Sequence, residues 1–340
     1  MAVTTSFGSG KQDFYLIKLD ENGKDLGERT YGGSGDDYPV SAQQTQDGGF
    51  IVAGMTMSFG SGGWDVYIVR TDANGNMIWQ RTFGGKNDDG ASFVHQADDG
   101  YLVVGYTKSF GAGGEDFYIL KLDKDGNKVW EKTYGGNDSD RARSAVSARD
   151  GGYLVVGSTK SFGAGGMDGL VMKLDRNGNK VWEKTFGASN EDLFHLIKHT
   201  SDGGYVIVGY TKSFGAGGSD FYIVKLYENG DREWERFYGK DRDDMAWSVE
   251  QTHDGGYIVA GWTKSFGVSM GVLVLKLDAS GNKLWEKIYG GDRDDLAYSV
   301  QQTRDGGYIL AGWTASFAAG PFDVYVIKMD ANGNTGPNPK

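Results

Sequence analysis

The chain has 340 residues, of which 39% are hydrophobic, with 56 glycines, four prolines and no cysteine. This length suffices for one well-cored domain, and the lack of cysteine excludes disulfides, thiolate metal sites and cysteine nucleophiles. The net charge of −11 argues against a nucleic-acid partner, because no basic excess is available to neutralise phosphates. The chain contains no run of 18 apolar residues, so no membrane span is predicted. Its first residues lack the apolar core of a signal peptide.

A tripeptide, Ser-Phe-Gly, recurs along the chain at intervals of 51 or 52 residues. It begins at Ser6, Ser58, Ser109, Ser161, Ser213 and Ser265, and becomes Ser-Phe-Ala at Ser316. A fixed period of this size predicts one supersecondary unit repeated along the chain.

One repeat, residues 99–149, shows four strand candidates and no helix. They are Tyr101–Tyr106, Phe117–Leu122, Lys128–Tyr134 and Arg141–Ala148. Asp123–Asn127 reads as a tight hairpin turn in which Gly126 can adopt positive φ. Four short antiparallel strands in about 52 residues are typical of a β-propeller blade. A linear solenoid would need atypical end repeats, and the end copies here resemble the others.

The sequence therefore predicts an all-β fold, a six-bladed β-propeller of four-stranded antiparallel blades. We label the strands of a blade A to D from the channel outward. Six A, six B, six D and seven C strands are found, so a seven-bladed ring fits poorly. We expect a single domain over residues 1–340, closed by pairing of strands from about 1–33 and 295–334. The N-terminal C–D hairpin is expected to complete the last blade, leaving Val324–Met329 as an extra strand; the reverse assignment is the alternative.

The repeat resembles a known family. Tyr31-Gly-Gly-Ser-Gly-Asp-Asp37, Gly54-Met-Thr56 and Asp65-Val-Tyr-Ile-Val-Arg70 are similar to the SBBP β-propeller repeats of bacterial and archaeal surface proteins. Asp123-Lys-Asp-Gly-Asn-Lys-Val-Trp130 also looks like the outer hairpin of quinoprotein-type propellers. The first resemblance implies a propeller and an extracellular or cell-surface setting. It brings no catalytic residue, and the second gives no reason to expect a quinone.

An aspartate precedes every A strand. These residues are Asp37, Asp89, Asp140, Asp192, Asp244 and Asp295. The structural interpretation is that each carboxylate accepts backbone N–H bonds in the D–A loop. The alternative is a ring of carboxylates that holds Ca²⁺. We favour the structural role and predict no cofactor, with calcium as the alternative.

Three further repeated features also have structural interpretations. The Asp-x-Asn/Asp-Gly-Asn segments lack the ligand spacing of an EF-hand and are read as turns. The tryptophans of the D strands, such as Trp130, are read as blade-to-blade packing. The basic residue that ends each C strand, such as Lys121, is expected to pair with a repeated aspartate or to be exposed.

The positions that differ between copies are the candidate ligand site. They follow the A-strand aspartate by one or three residues, or stand between the glycine and threonine that end each B strand. Propeller geometry places them near one mouth of the central channel, where aromatic and basic residues suit a carbohydrate or a peptide. The candidates are Arg141, Arg143, His195, Trp247, Tyr298, Tyr106, Tyr210, Trp262 and Trp313. The same residues equally fit a channel plugged by its own side chains.

No catalytic residue is predicted, because no nucleophile motif is present and acids are too abundant to choose a pair. Three hypotheses remain. We favour a non-enzymatic binding or scaffold propeller with a carbohydrate, peptide or protein ligand, no nucleic acid and no membrane span. The second is a polysaccharide hydrolase or lyase acting on the same face. The third is a purely structural or engineered repeat protein. A monomer is expected, with self-association through the extra C strand as the alternative.

Overall fold

A computed structural model describes residues 2–4, 8–20, 24–267 and 269–336. Ser6 and Phe7 of the first Ser-Phe-Gly and the last four residues of the C-terminal tail lie outside the described residues. The described part forms 26 strands in seven antiparallel sheets and contains no helix. It accordingly has no helix that could cross a membrane.

We number the sheets 1 to 7 in chain order. Sheet 1 contains β1 (Ala2–Thr4), β2 (Asp13–Leu19) and β3 (Asp25–Tyr31). Sheet 2 contains β4 (Asp37–Gln44), β5 (Phe50–Thr56), β6 (Asp65–Thr71) and β7 (Met77–Phe83). Sheet 3 contains β8 (Asp89–Ala97), β9 (Gly100–Thr107), β10 (Asp116–Leu122) and β11 (Lys128–Tyr134). Sheet 4 contains β12 (Asp140–Ser147), β13 (Tyr153–Thr159), β14 (Asp168–Leu174) and β15 (Lys180–Phe186).

The remaining sheets repeat this order. Sheet 5 contains β16 (Asp192–His199), β17 (Tyr205–Thr211), β18 (Asp220–Leu226) and β19 (Arg232–Tyr238). Sheet 6 contains β20 (Asp244–Gln251), β21 (Tyr257–Thr263), β22 (Gly271–Leu277) and β23 (Lys283–Tyr289). Sheet 7 contains β24 (Asp295–Gln302), β25 (Tyr308–Thr314) and β26 (Asp323–Met329).

The fold class is the predicted one, an all-β six-bladed β-propeller with four-stranded antiparallel blades. Sheets 2 to 7 each begin with an A strand and continue in the order A-B-C-D, except that sheet 7 holds only A, B and C. Sheet 1 consists of the C–D hairpin β2–β3 with the short β1 paired to β2. Sequence reasoning did not identify β1 as a strand.

The expected assignment of the spare C strand was wrong. The strand β26 is not an extra, because it pairs with β25 over its whole length, from Tyr308↔Met329 to Thr314↔Asp323. The hairpin β2–β3 pairs instead with β1. A connection between adjacent strands closes a shorter loop and costs less entropy than pairing between distant segments. The expected pairing between strands of 1–33 and of 295–334 is therefore not part of the described sheet topology.

The chain divides into two compact units. Unit 1 comprises Met1–Phe162 and Val171–Lys184, and unit 2 comprises Gly163–Leu170 and Thr185–Lys340. Within each unit, the core lies between successive sheets. In unit 1, Ile51 of sheet 2 belongs to one apolar cluster with Tyr118 of sheet 3. In sheet 3, the B strand β9 and the C strand β10 are buried along their whole length, because a neighbouring sheet covers each face. A single domain over residues 1–340 stays a prediction.

The repeated turns and tryptophans have the structural roles that the sequence predicts. In the C–D turn of sheet 3, the amide of Asp123 donates to the carbonyl of Asn127, and Gly126 has a φ of 78°. Trp79 of sheet 2 donates its indole N–H to the carbonyl of Lys124 at 3.2 Å and packs edge-to-face on Tyr101. The tryptophan thus joins one blade to the next through that turn.

The basic residues that end the C strands of sheets 2 to 7 are ion-paired, whereas Lys18 of sheet 1 donates to the carbonyl of Ala73. The Lys121 ammonium is buried and lies 2.6 Å from the carboxylate of Asp99, in the A–B turn of the same sheet. Lys225 pairs in the same way with Asp202 at 2.8 Å. Desolvation raises the pKa of Asp202, but its hydrogen bonds from Lys225 and Thr200 outweigh this and lower it to about 2. Each pair therefore ties a C strand to an A–B turn.

Candidate functional site

Each A strand carries a β-bulge at the third residue after its first aspartate. In β20, Ala246 pairs with Gly261 and Ser248 pairs with Ala260, so Trp247 is the extra residue. The same break occurs in all six A strands, at Val40, Ser92, Arg143, His195, Trp247 and Tyr298. A bulge takes one side chain out of the regular alternation and re-aims it. The fold therefore presents these variable residues in an equivalent way from sheet to sheet.

A glycine two residues before the end of each B strand explains how the bulge is accommodated. A methyl group at Gly261 would overlap the carbonyl oxygen of Met245, which lies two residues before the bulge. In the other B strands, a methyl group on the equivalent glycine would overlap the equivalent carbonyl oxygen. These glycines are Gly54, Gly105, Gly157, Gly209 and Gly312. Glycine is thus required here by the close approach of two backbones.

In unit 2, the bulge residues of three successive A strands form a continuous aromatic row. The ring of His195 stacks on Trp247, with centroids 3.9 Å apart and planes at 8°. Trp247 in turn meets Tyr298 edge-to-face at 5.1 Å. The indole N–H of Trp313 donates to the Tyr298 hydroxyl at 3.3 Å, and Phe322 packs edge-on against Trp313 at 4.5 Å. We call these five residues the aromatic strip.

Some polar atoms of the aromatic strip have hydrogen-bond partners and others do not. The Nδ1 of His195 lies 2.8 Å from the carbonyl oxygen of Ala246 and therefore carries the proton, since a carbonyl can only accept. This bond holds the imidazole parallel to Trp247. The buried indole N–H of Trp247 has no acceptor among the described residues. Tyr298 and Phe322 are exposed, whereas the other three rings are partly covered. The strip thus has accessible ring surface, and the buried indole N–H of Trp247 beneath it has no described acceptor.

Of the two predicted arginines, Arg141 lies in a polar environment. Arg141 forms a two-pronged ion pair with Glu115, at 2.8 and 2.6 Å, and its guanidinium lies 4.1 Å from the ring centroid of Tyr106. Its charge is therefore already matched by Glu115. Arg141 and Tyr106 thus come together within unit 1.

The structure places the remaining candidates as follows. The ring of Tyr210 lies 5.9 Å from that of His195, beside the aromatic strip. Trp262 is buried, with the Lys264 ammonium 5.4 Å from its ring centroid. Arg143 occupies the bulge of β12.

Sequence reasoning missed Phe322. Other repeats carry a glycine-rich loop here, whereas this one has Ala318-Ala-Gly-Pro-Phe322, a difference that was visible by comparing copies.

The aspartates that begin the A strands are fully buried and hold the D–A loop together. The carboxylate of Asp89 accepts from the Ser109 hydroxyl at 2.7 Å and from the backbone N–H of Gly85 at 2.7 Å. The hydroxyl of Thr211, at the end of its B strand, donates in the same way to Asp192. The structural interpretation of these residues, as acceptors of backbone N–H bonds, is confirmed.

A second set of aspartates, not singled out from the sequence, begins most C strands. Asp220 lies against Gly239, as does Asp244 of the following A strand, so the two buried carboxyls face each other across one glycine. Desolvation raises the pKa of Asp220 to about 6, and the charge of Asp244 adds to the effect. The pKa is raised for the same reasons at three equivalent positions, Asp65, Asp116 and Asp168. Two carboxyls this close in a buried site favour one protonated member.

In the part of the chain that the structure describes, no group of three or more histidine or acidic side chains is arranged to hold a metal ion. The aspartates come as pairs at every junction except that of Asp295, and the hydroxyl and amide donors described above approach their oxygens. These donors stabilise carboxylates without a cation. Calcium binding stays a proposal to be tested.

The sequence matches the family described as outer membrane protein assembly factor BamB, over residues 16–245 and, in an overlapping match, 65–299. The chain belongs to this family. The regulatory protein FlaEY of Caulobacter vibrioides is 26% identical over 178 residues, which cover 45% of this chain and 18% of FlaEY. The chain thus spans less than a fifth of the length of that relative. The SBBP-type assignment stays a resemblance.

Solved structures share the fold at low identity. The periplasmic gluconolactonase PpgL of Pseudomonas aeruginosa has a TM-score of 0.61 and 14% identity, covering 98% of this chain and 93% of that one. The WD40 domain of Neurospora crassa Pan2 has a TM-score of 0.52 and 12% identity, covering 88% and 89%. Their functions differ, and at these identities the likeness shows the fold alone.

Proposed function

We propose that the protein is a non-enzymatic binding propeller and that the aromatic strip of unit 2 binds a carbohydrate. The observation that carries this proposal is the row of His195, Trp247 and Tyr298, set side by side on three bulges and partly open to solvent. The family match and the propeller fold support a scaffold that presents such a row.

The chemistry of the strip favours a sugar ring as the ligand. A sugar has apolar C–H faces and a polar rim, and aromatic side chains with a polar end offer a matching surface for both. The face of Tyr298 supplies the apolar contact. Its hydroxyl accepts from Trp313 and keeps its own proton to donate to the sugar. On the SBBP-type resemblance we also propose an extracellular or cell-surface setting.

The test is a thermal-shift screen against a panel of mono- and oligosaccharides, followed by calorimetric titration of any sugar that raises the melting temperature. A ligand of the native state raises that temperature by mass action. We expect a shift in the wild type that is lost in Trp247→Ala. It should be kept in Val40→Ala, which changes the equivalent bulge of β4.

Two outcomes would contradict this proposal. The first is a panel with no shift, or a shift that survives Trp247→Ala. The second is release of reducing ends from an oligosaccharide, which would support the hydrolase alternative. An arm with Ca²⁺ alone tests the metal role of the paired aspartates, since a shift there would be lost in Asp220→Asn and kept in Trp247→Ala.

A further inference from the structure

Neighbouring A strands are joined near their C-terminal ends by a repeated hydrogen bond. A side chain near the end of one A strand accepts the backbone N–H of a residue near the end of the next A strand. The three pairs are Gln43 with Gln96 at 2.8 Å, His95 with Ser147 at 3.4 Å, and Glu250 with Gln302 at 2.8 Å. The accepting residue always stands six places after the first aspartate of its strand, and the donating residue seven places after the aspartate of the next. These junctions therefore pair one acceptor with one donor.

The junction of sheets 5 and 6 breaks this pattern. The accepting position is occupied by Lys198, whose ammonium can only donate, and the donating position by Gln251. Gln251 pairs with Tyr257 in the register that Gln302 has with Tyr308, so its N–H also points away from the B strand. Two hydrogen-bond donors thus lie where the other junctions have a donor and an acceptor.

Neither donor has a side-chain partner in the part of the chain that the structure describes. The ammonium of Lys198 has no ion pair or hydrogen bond there, and no side chain accepts from the backbone N–H of Gln251. Because sheets 5 and 6 pack directly on each other within unit 2, the two donors face one small region. Hydrogen-bond donors without a partner at such a place favour an anionic ligand.

The charges around Lys198 leave room for such a ligand. Desolvation lowers the pKa of Lys198, and the charge of Glu250 opposes this shift without cancelling it. The carboxylate of Glu250 already accepts from the Gln302 N–H, on the side of sheet 7. The Lys198 side chain is exposed, so a ligand in solution can reach it. A carboxylate bound there would supply the close counterion that the ammonium lacks.

The same two strands also carry the stacked rings of the aromatic strip. His195 stands three residues before Lys198 on β16, and Trp247 three residues before Glu250 on β20. Three residues of a strand span about 10 Å. A ligand of several sugar units is therefore long enough to contact the rings and the two donors together.

We propose that Lys198 and the Gln251 N–H bind the carboxylate of an acidic oligosaccharide, one that contains a uronic acid, while a neighbouring sugar ring packs on the aromatic strip. This inference rests on the proposed function and narrows its ligand from a carbohydrate to an acidic one. The ammonium and the backbone N–H each donate to a carboxylate oxygen, and hydrogen bonds between charged groups are the stronger kind.

Calorimetric titration with two matched ligands tests this inference. The ligands are the α-1,4-linked trisaccharides of galacturonic acid and of galactose, compared at one ionic strength. The wild type should bind the acidic trisaccharide at least about tenfold more tightly than the neutral one. Lys198→Gln should abolish this preference and leave the affinity for the neutral trisaccharide unchanged. The variant should fold, because a glutamine can accept the Gln251 N–H as Gln43 accepts that of Gln96.

Two further variants sharpen the test. Lys283→Gln is the matched control, since it removes the same charge from an ion-paired lysine on β23 of the same unit. It should keep the full preference. Glu250→Gln removes the carboxylate that repels the ligand and keeps an oxygen for the Gln302 N–H. It should tighten binding of the acidic trisaccharide a few-fold and leave binding of the neutral one unchanged.

The outcomes separate this inference from the proposed function. If neutral sugars bind but the acidic trisaccharide binds no more tightly, the inference is overturned and the proposed function stands. A preference that survives Lys198→Gln, or that is equally lost in Lys283→Gln, overturns the inference as well. Binding of no sugar at all overturns both.

Discussion

Two positions on each A strand, three residues apart, differ in almost every physical respect. In β20, Asp244 is fully buried and accepts hydrogen bonds from the Ser265 hydroxyl and the backbone N–H of Lys240. Trp247 stands on a bulge, with its ring partly open and its N–H without a described acceptor. The aspartate is the same in every A strand, whereas no two bulge residues are alike. The blade is therefore specified by the first position and leaves the second free to vary.

The largest expected loss of stability comes from filling the space beside the bulge. Gly261→Ala places a methyl group on the Met245 carbonyl oxygen, and the overlap is with backbone, which cannot rotate away. We expect a loss of stability on the order of 3 kcal/mol or more. Urea unfolding followed by tryptophan fluorescence measures it.

A matched glycine controls for backbone strain alone. Gly255 has a φ of 81°, but no atom lies near its would-be Cβ. Gly255→Ala should therefore cost only about 1–2 kcal/mol, the usual penalty for alanine in this region. Equal losses in the two variants would mean that the bulge does not depend on Gly261.

The bulge also shows where prediction from the sequence stopped. The strand positions, the turns, the lysine–aspartate pairs and the bonds of the A-strand aspartates followed from the repeat and from local chemistry. The extra residue at Trp247 was not predicted, because a bulge is defined by the pairing of a strand with its neighbour, which the sequence of one strand does not give. The pairing of Arg141 with Glu115 joins a loop to a strand 26 residues away, and nothing local predicts it.

A smaller loss of stability is expected when an A-strand aspartate is replaced. In Asp244→Asn the partly buried Ser265 hydroxyl and Lys240 amide, which donate to the same carboxylate oxygen, lose their charged acceptor. The expected cost is about 2 kcal/mol, as for other hydrogen bonds to a charged group. The midpoint of urea unfolding near neutral pH measures it. A variant as stable as the wild type would show that these bonds do not hold the loop.

Replacing Asp220, the aspartate that begins a C strand, should raise the stability instead of lowering it. Its pKa is raised to about 6 in the folded protein, against about 3.9 for an unfolded aspartate. As the pH rises between these values, the unfolded chain has already released its proton and folding becomes less favourable. Asp220→Asn removes this loss of stability. The free energy of unfolding of the variant should therefore exceed that of the wild type by about 1–2 kcal/mol near neutral pH and equal it at about pH 4.

Sheet 6 offers a natural comparison for this prediction. Its C strand begins with Gly271, and Asp295 beside it still accepts from Ser316 at 2.6 Å and Gly291 at 2.8 Å. The second carboxyl is thus not needed for these bonds. Urea unfolding at both pH values checks the prediction, and a gain for Asp220→Asn that is equal at the two would contradict a proton held by Asp220.

The most direct measurement separates stability from binding in one variant. His195, Trp247 and Tyr298 are all replaced by serine, the residue that occupies the bulge of β8 at Ser92. The account predicts cooperative unfolding within about 1 kcal/mol of the wild type, as for surface positions, together with complete loss of the sugar-induced thermal shift. A variant that unfolds at much lower urea would contradict it, because the aromatic strip would then be part of the core that holds the blades together.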